Sequence, residues 1–248
     1  MQTQFERTKL LIGEESLEKL KNARVAIFGV GGVGGYVCEA LVRSGIGSFD
    51  LIDSDTVCLS NLNRQIIATH SSVGKYKVDV MRDRMLDINP EVNVKVYKCF
   101  FLPENAHEFP FAEYDYVVDA VDTVTAKIEL VKKCQEEGVP IISSMGTGNK
   151  MEASAFKVTD IYKTKMCPLA KVMRYELKKR GVKKLKVVYS EEIPLNPMDR
   201  SIEVDAKTDK TVASRRSTPG SLAFVPPVSG MIIAGEVVKD LTGQKGKF

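Results

Sequence analysis

Residues 24–53 constrain the fold more than any other stretch, because a glycine cluster separates two apolar runs. The first run is Val25–Phe28, and the second, Phe49–Ile52, ends at Asp53. Between them, apolar residues recur with the spacing of a helix. The glycines are Gly29, Gly31, Gly32, Gly34 and Gly35, and the helical face carries Val33, Val37, Ala40 and Leu41. The stretch predicts a strand, a glycine loop, a helix and a second strand that is closed by an acid.

Each part of this unit suits nucleotide binding. Gly29 and Gly31 permit a tight turn and a close approach of the backbone to phosphate, and Gly34 lets helix and strand pack closely. Free N–H groups and the helix dipole favour an anion at the helix start. Asp53 is placed to accept hydrogen bonds from ribose hydroxyls. A glycine-rich turn alone would be weak evidence, but strand, helix and acid all occur at the expected spacing.

The same alternation of strand and helix continues along the chain. Parallel strands joined by helices form doubly wound sheets, so we predict a Rossmann-like α/β fold with a mainly parallel sheet. A short helix at 14–21 precedes the first strand, and a polar loop at 54–65 enters a short helix. Further helices are expected at 75–88 and 124–136, and further strands at 92–96, 115–119 and 139–144.

The pattern changes after Gly148, where we predict a C-terminal antiparallel extension. Strands are expected at 153–158 and 185–189, and helices at 168–180 and about 227–241. Residues 195–218 are polar without a clear period and are interpreted as a mobile loop. We expect one domain over 1–248, with a nucleotide-binding core at about 23–150 and an extension at about 151–248; the resemblance described below implies that the domain is adenylating and that the extension serves substrate binding and dimerisation.

Composition indicates an ordinary globular chain in a reducing compartment. The 248 residues are 44% hydrophobic, and the five cysteines include no Cys-x-x-Cys pair. We therefore expect a cytoplasmic protein without zinc. The apolar stretch Leu222–Val238 is interrupted by Pro226, Pro227 and Glu236, so no stable membrane insertion is expected.

Positive charge is concentrated in residues 163–186. This stretch holds ten Lys or Arg and one acid, Glu176, whereas the rest of the chain has 26 basic and 31 acidic residues. Such clustering is typical of nucleic-acid contacts, but it also occurs on solvated helix faces.

Polar side chains converge on the predicted carboxyl edge of the sheet. Open α/β sheets bind ligands there. Arginine can hold phosphate oxygens in bidentate fashion, and a carboxylate can hold magnesium that bridges phosphates. The chain has no Gly-Lys-Ser/Thr P-loop, so these charges would surround a triphosphate in another way. The candidate residues are Asp53, Asp55, Asn61, Arg64, Gln65, Lys77, Asp119 and Asp122.

Cys167 is a candidate thiol nucleophile, because it lies in the basic stretch, where neighbouring cations favour a thiolate. No histidine close in sequence activates it. A plain loop cysteine is the simpler interpretation.

Several motifs together resemble the ThiF/MoeB/HesA superfamily of adenylating enzymes, which are related to ubiquitin-activating enzyme. The motifs are Gly-Val-Gly-Gly-Val-Gly (29–34), Asp-Ser-Asp-Thr-Val (53–57), Ser-Asn-Leu-Asn-Arg-Gln (60–65), Lys77 and Asp-Ala-Val-Asp (119–122). Members activate a carboxylate by its attack on the ATP α-phosphate, which releases pyrophosphate.

The resemblance implies a role for each matched position. Asp53 would hold the ribose, and Asp122 would hold magnesium. Asn61, Arg64 and Lys77 would hold the phosphates. Arg7, in the arm Phe-Glu-Arg-Thr (5–8), would reach the ATP of the partner subunit in a homodimer.

Motifs in the second half resemble the tRNA threonylcarbamoyladenosine dehydratase branch of this superfamily. They include Val-Thr-Asp-Ile-Tyr-Lys-Thr (158–164) and Pro-Gly-Ser-Leu-Ala-Phe-Val-Pro-Pro-Val-Ser-Gly (219–230). The branch uses ATP to cyclise threonylcarbamoyladenosine next to the tRNA anticodon, by an intramolecular attack that needs no enzyme thiol. The resemblance implies tRNA contacts through Lys171, Arg174, Lys178, Lys179, Lys183 and Lys184.

Two alternatives remain open from the sequence. One is an activator of a ubiquitin-like sulfur carrier protein, which would need a partner ending in Gly-Gly and a catalytic thiol. The other is a nucleotide-gated RNA-binding module without chemistry. A cysteine desulfurase system is a further partner that the resemblance raises and that no residue identifies.

Overall fold

A computed structural model describes residues 3–198 and 219–244. Within them a seven-stranded sheet has the order β3-β2-β1-β4-β5-β7-β6, and every strand pair is parallel except β6 with β7. The mainly parallel sheet with an antiparallel C-terminal addition is therefore confirmed. The strands are β1 (Arg24–Phe28), β2 (Ser48–Ile52), β3 (Asn93–Tyr97), β4 (Tyr116–Asp119), β5 (Ile141–Ser144), β6 (Phe156–Asp160) and β7 (Lys186–Ser190).

Seven α-helices connect and cover these strands in the described ranges. The order of strands reverses between β1 and β4, which places a topological switch point beside the glycine loop. The helices are α1 (Glu6–Ile12), α2 (Glu14–Asn22), α3 (Gly34–Ser44), α4 (Lys77–Ile88), α5 (Val124–Glu137), α6 (Pro168–Lys179) and α7 (Val225–Thr242). None of these helices has both the length and the apolar composition needed to cross a bilayer.

Most predicted elements are present, with small shifts at their ends. The N-terminal arm contains an additional helix, α1, that the sequence did not predict. Its leucines Leu10 and Leu11 are exposed, so the helix has no buried apolar face that its sequence pattern could reveal. The strand expected at 153–158 begins only at Phe156, because residues 153–155 form a 3₁₀ turn that Glu152 caps through the Ser154 N–H. The loop expected at 195–218 falls largely on residues 199–218, which lie outside the described ranges.

The sheet is buried on both faces, as doubly wound sheets require. Alternate residues of β1 enter different cores: Val25 and Ile27 pack with apolar residues of α3 and α7. Phe28 faces the opposite layer, where its ring lies 4.9 Å from that of Phe101 in an edge-to-face arrangement. Such aromatic pairs contribute about 1 kcal/mol beyond the area that they bury. The central strand is thus anchored from both sides, which holds the loop after it in place.

Candidate active site

The glycine loop between β1 and α3 depends on close backbone contacts. Gly29 has a φ of +90°, and a Cβ there would lie 2.6 Å from the carbonyl oxygen of Ala120 in the loop after β4. A Cβ at Gly34 would lie 1.8 Å from the carbonyl oxygen of Gly29. Both glycines are therefore required by geometry, in agreement with the roles that the sequence predicts for them.

Space remains beside Gly31 on the outer side of the same loop, where a Cβ would meet only the Nε2 of Gln65, at 3.9 Å. Gly32 is more closely surrounded, since a Cβ there would lie 3.3 Å from the Cβ of Pro226 and 3.5 Å from the Cγ of Arg64. The loop thus turns its bare backbone toward Arg64 and Gln65. A glycine loop at the start of a helix, with an arginine beside it, is an arrangement that can bind phosphate oxygens.

Asp53 ties the end of β2 to the glycine loop. One carboxylate oxygen accepts the Val30 N–H at 2.7 Å, and the other accepts the Asp55 N–H at 2.9 Å. Burial raises the pKa of Asp53, while the charge of Lys77 and the two N–H groups lower it. Each oxygen keeps a free lone pair, so the carboxylate can still accept hydrogen bonds from a ribose.

Lys77 is the first residue of α4 and lies buried beside Asp55. Its Nζ lies 2.6 Å from the Asp55 carboxylate, and its backbone N–H donates to the Asp55 carbonyl. The structure thus brings Asp53, Asp55 and Lys77 together, as the sequence predicts. The ammonium charge is balanced by Asp55, so an incoming phosphate would compete with that carboxylate for Lys77.

Arg64 differs from Lys77 because it forms no ion pair in the described part of the chain. Its guanidinium donates to the Ser60 carbonyl at 3.1 Å and to the Asn63 side-chain oxygen at 2.9 Å. Burial lowers its pKa from the usual range. A half-buried cation that contacts only neutral oxygens is suited to receive an anion.

Gln65 and Asn61 are the other candidate residues in the turn that contains Arg64. The Gln65 side chain is buried, and its Oε1 has no hydrogen-bond partner among the described residues. Buried polar atoms are nearly always paired, so this oxygen is available to a ligand. Asn61 uses its own side-chain oxygen to accept the Cys58 N–H at 3.2 Å, which orders the turn that precedes Arg64.

The two acids after β4 have different surroundings. Asp119 is completely buried and accepts two hydrogen bonds from the ammonium of Lys127, at 3.0 and 3.1 Å. It is therefore closed to a metal, and the suggestion that it could hold magnesium is wrong. Asp122 is exposed and accepts only the Thr123 hydroxyl in the described part of the chain. No cluster of three or more metal-binding side chains occurs within the described ranges.

Arg7 lies far from the glycine loop of its own chain. Phe5 packs near Gly45, just beyond the end of α3, whereas α3 begins at the glycine loop. The eleven residues of α3 span about 16 Å at the usual helical rise. Arg7 is exposed on α1, so the structure does not bring it to the other candidate residues.

The basic stretch is only partly a free cationic surface. Lys171, Lys178, Lys179, Lys183 and Lys184 are exposed. Arg174 is not free, because its guanidinium donates to the carbonyl and the hydroxyl of Thr164. Arg174 is therefore held within the protein and is not the free cation expected for a tRNA contact. Val172 is 45% exposed, and the buried face of α6 consists of Ala170, Met173 and Leu177.

Cys167 occupies the N-cap position of α6 without a side-chain capping hydrogen bond and is buried among apolar residues. It is 3% exposed, so a bulky substrate does not reach its sulfur in this conformation. This environment agrees with a structural cysteine and does not favour the thiol-nucleophile interpretation.

Sequence reasoning missed two residues that line the site. Asn63 donates through Nδ2 to the Ser221 carbonyl at 2.9 Å, which brings the segment before α7 against Arg64. Pro226 in turn lies within 3.3 Å of a Cβ position at Gly32. The contacts join residues more than 150 positions apart, and no local pattern signals them.

Comparisons with known proteins identify the family of the chain. The ThiF family model matches residues 5–248. The tRNA threonylcarbamoyladenosine dehydratase of Bacillus subtilis is 45% identical over 239 residues, which are 96% of this chain and 94% of that protein. The Escherichia coli protein of that name is 40% identical over 174 residues, 70% of this chain and 65% of its own.

A solved structure shows the same architecture over almost the whole chain. The crystal structure of the Escherichia coli tRNA N6-threonylcarbamoyladenosine dehydratase in complex with ATP superposes with a TM-score of 0.86 at 32% identity. The match covers 97% of this chain and 94% of that one. With its Rossmann-like sheet, its glycine loop and a family match from residue 5 to the C-terminal residue, the chain belongs to the ThiF family.

Proposed function

We propose that this protein is an ATP-dependent enzyme that dehydrates threonylcarbamoyladenosine in tRNA to a cyclic form. One observation carries the proposal: a half-buried Arg64, without a carboxylate partner in the described ranges, faces a glycine loop with room for phosphate. The near full-length similarity to dehydratases supplies the substrate class.

ATP binding follows from the charges around the loop. The ribose hydroxyls donate to Asp53, and the backbone N–H groups of Gly31 and Gly32 face the phosphates. Arg64 and Lys77 offset the negative charge that grows on the phosphates during transfer. Gln65 accepts a hydrogen bond from the bound nucleotide through its free Oε1, and Asn61 holds the turn in shape.

The reaction needs no thiol from the protein. A carboxylate oxygen of the threonyl group attacks the α-phosphorus, and pyrophosphate leaves with the electron pair of the broken bond. A nucleophilic atom of the same modified nucleoside then attacks the activated carbonyl, loses its proton, and AMP leaves with the former carboxylate oxygen. Water is thus lost formally, since its oxygen remains in AMP.

Magnesium would be held by Asp122, where it would offset phosphate charge. The exposed carboxylate fits a hydrated ion that is bound by one or two protein ligands.

Assembly as a homodimer is part of the same proposal, because Arg7 lies too far from its own glycine loop to reach it. A cytoplasmic location and a connection to a cysteine desulfurase system are proposed from the resemblance, and cell fractionation and co-purification would test them.

Incubation with tRNA tests the proposed function directly. Wild-type protein, ATP and tRNA carrying threonylcarbamoyladenosine should yield a nucleoside that is lighter by one water on mass analysis, with AMP formed in equal amount.

Arg64→Ala should lose activity about 100-fold or more, because charge on the phosphates is no longer offset. Arg82→Ala, which removes an arginine paired with Asp79 and Asp83, serves as the control. Pyrophosphate release that requires a Gly-Gly protein instead of tRNA would establish the sulfur-carrier alternative, and no release at all would favour the module without chemistry.

The metal role of Asp122 is tested by titration with magnesium. Asp122→Asn removes an anionic ligand and should raise the magnesium concentration that gives half-maximal activity by about tenfold. Asp115→Asn, at an acid on the opposite end of β4, is the control. An unchanged magnesium dependence in Asp122→Asn would refute the assignment.

The tRNA contact is tested by charge reversal. Replacement of Lys178, Lys179, Lys183 and Lys184 by Glu should raise the KM for tRNA much more than the KM for ATP. Each lost phosphate contact should also reduce the salt slope of tRNA binding by about 1. Reversal of four exposed lysines elsewhere, Lys19, Lys21, Lys95 and Lys239, changes net charge equally and is the control. Equal effects of the two variants would mean that only overall charge matters.

The homodimer is tested by mixing two inactive variants. If Arg7 acts on the partner's ATP, exchange of subunits between Arg7→Ala and Lys77→Ala places both cations in one hybrid site. An equal mixture should recover about a quarter of wild-type activity, because half of the dimers carry one intact site of two. Recovery should fail with Lys77→Ala and Arg64→Ala, since each chain supplies both of these residues to its own site, and every site in the mixture therefore keeps one defect. Proven exchange without recovery in the first mixture would place Arg7 in its own subunit's site, or outside any site.

A further inference from the structure

The segment 219–226 precedes α7 and includes its first two residues. Contacts at both of its ends hold it against the candidate site. At its start, Gly220 accepts the Asn149 N–H at 2.7 Å and donates its own N–H to the Asn149 side-chain oxygen at 2.6 Å. At its end, Pro226 packs against Gly32 of the glycine loop. The segment therefore runs from the loop after β5 to the glycine loop, across the carboxyl edge of the sheet.

Ser221 lies in the middle of this segment, one side chain away from Arg64. Its carbonyl accepts from Asn63 Nδ2 at 2.9 Å, and the Asn63 Oδ1 accepts from the Arg64 guanidinium at 2.9 Å. Asn63 thus holds the backbone of Ser221 and the guanidinium of Arg64 at once. The position of Ser221 relative to the unpaired cation is set by these two hydrogen bonds.

The hydroxyl of Ser221 is buried and has no hydrogen-bond partner among the described residues. Other buried serines differ: the hydroxyl of Ser72 donates to the Ile67 carbonyl at 2.7 Å, and that of Ser143 donates to Asp119. In the described part of the chain, only one other buried side-chain nitrogen or oxygen lacks a hydrogen-bond partner, the Oε1 of Gln65. Gln65 follows Arg64 directly in the chain, and the backbone of Ser221 is linked to Arg64 through Asn63.

We propose that the Ser221 hydroxyl donates a hydrogen bond to an anionic oxygen of the ligand that binds beside Arg64. The inference rests on the proposed function, which supplies two such oxygens: a phosphate of ATP and the carboxylate that ATP activates. A serine hydroxyl rotates to suit its acceptor, and a bond to a charged oxygen is stronger than one to a neutral oxygen. Ser221 would then be a substrate-contacting residue contributed by the C-terminal segment.

Ser221→Ala separates a ligand-binding hydroxyl from a structural one. Without ligand, the variant should unfold at the same temperature as wild type or higher, because the deleted group had no partner to lose. The backbone carbonyl that holds Asn63 is retained. With ATP and tRNA, kcat/KM should fall about tenfold or more. Ser72→Ala, which deletes a buried hydroxyl that does have a partner, should instead lower the unfolding temperature of the unliganded protein.

Two measurements identify the acceptor. A rise of about tenfold in the Kd for ATP, measured calorimetrically without tRNA, would assign the hydroxyl to a phosphate. An unchanged Kd with a lower kcat would assign it to the activated carboxylate. A variant that is less stable without ligand, or that keeps both the wild-type Kd and the wild-type kcat/KM, would overturn the proposal.

Failure of the proposed function would be visible separately. If the wild type forms no AMP with tRNA, the dehydratase assignment fails, but the ATP titration of Ser221→Ala still gives a result. A weaker Kd in that case would retain Ser221 as a nucleotide contact, and an unchanged Kd would remove it.

Discussion

The contact between Gly34 and the carbonyl of Gly29 is the constraint on which the rest of the site depends. Any side chain at position 34 would overlap that oxygen, so α3 can approach β1 this closely only with glycine. The start of α3 thereby lies at the carboxyl edge of the paired strands β1 and β4, where the strand order reverses, and Gly31 lies next to Gln65. Packing of helix on strand and access for a phosphate therefore have one cause.

The polar groups around this loop fall into two classes. Asp119 and Lys127 neutralise each other in the interior, and Lys77 is matched by Asp55, so these charges are balanced within the protein. Arg64, Gln65 and Ser221 have no such balance in the described part of the chain. Buried polar groups that lack partners cost stability, and a ligand that supplies the partners regains it. An anion would supply acceptors for the Arg64 guanidinium and the Ser221 hydroxyl, whereas the Oε1 of Gln65 requires a hydrogen-bond donor from the ligand.

Helix α7 connects the two ends of the molecule. Pro226, near its start, lies against the glycine loop, and Gly230 approaches the Val33 carbonyl so closely that a Cβ would lie at 2.5 Å. Beyond its last residue, the Gln244 side chain donates to the Ile12 carbonyl at the end of α1. The helix that closes the site therefore also positions the N-terminal arm, on the side away from the glycine loop.

Local sequence determined much of the fold and part of the site. The glycine loop, the helical spacing of α3 and the acid after β2 follow from residues close together in the chain, since their chemistry acts over a few positions. The mainly parallel sheet follows from the alternation of strands and helices, and the structure confirms it. Only tertiary structure decided which of two nearby acids, Asp119 or Asp122, remains exposed, because a lysine eight residues away neutralises the first. It also decided that Arg174 is held by Thr164 and that Ser221 reaches Arg64 through Asn63, because burial and hydrogen-bond partners are set by residues that are distant in the chain.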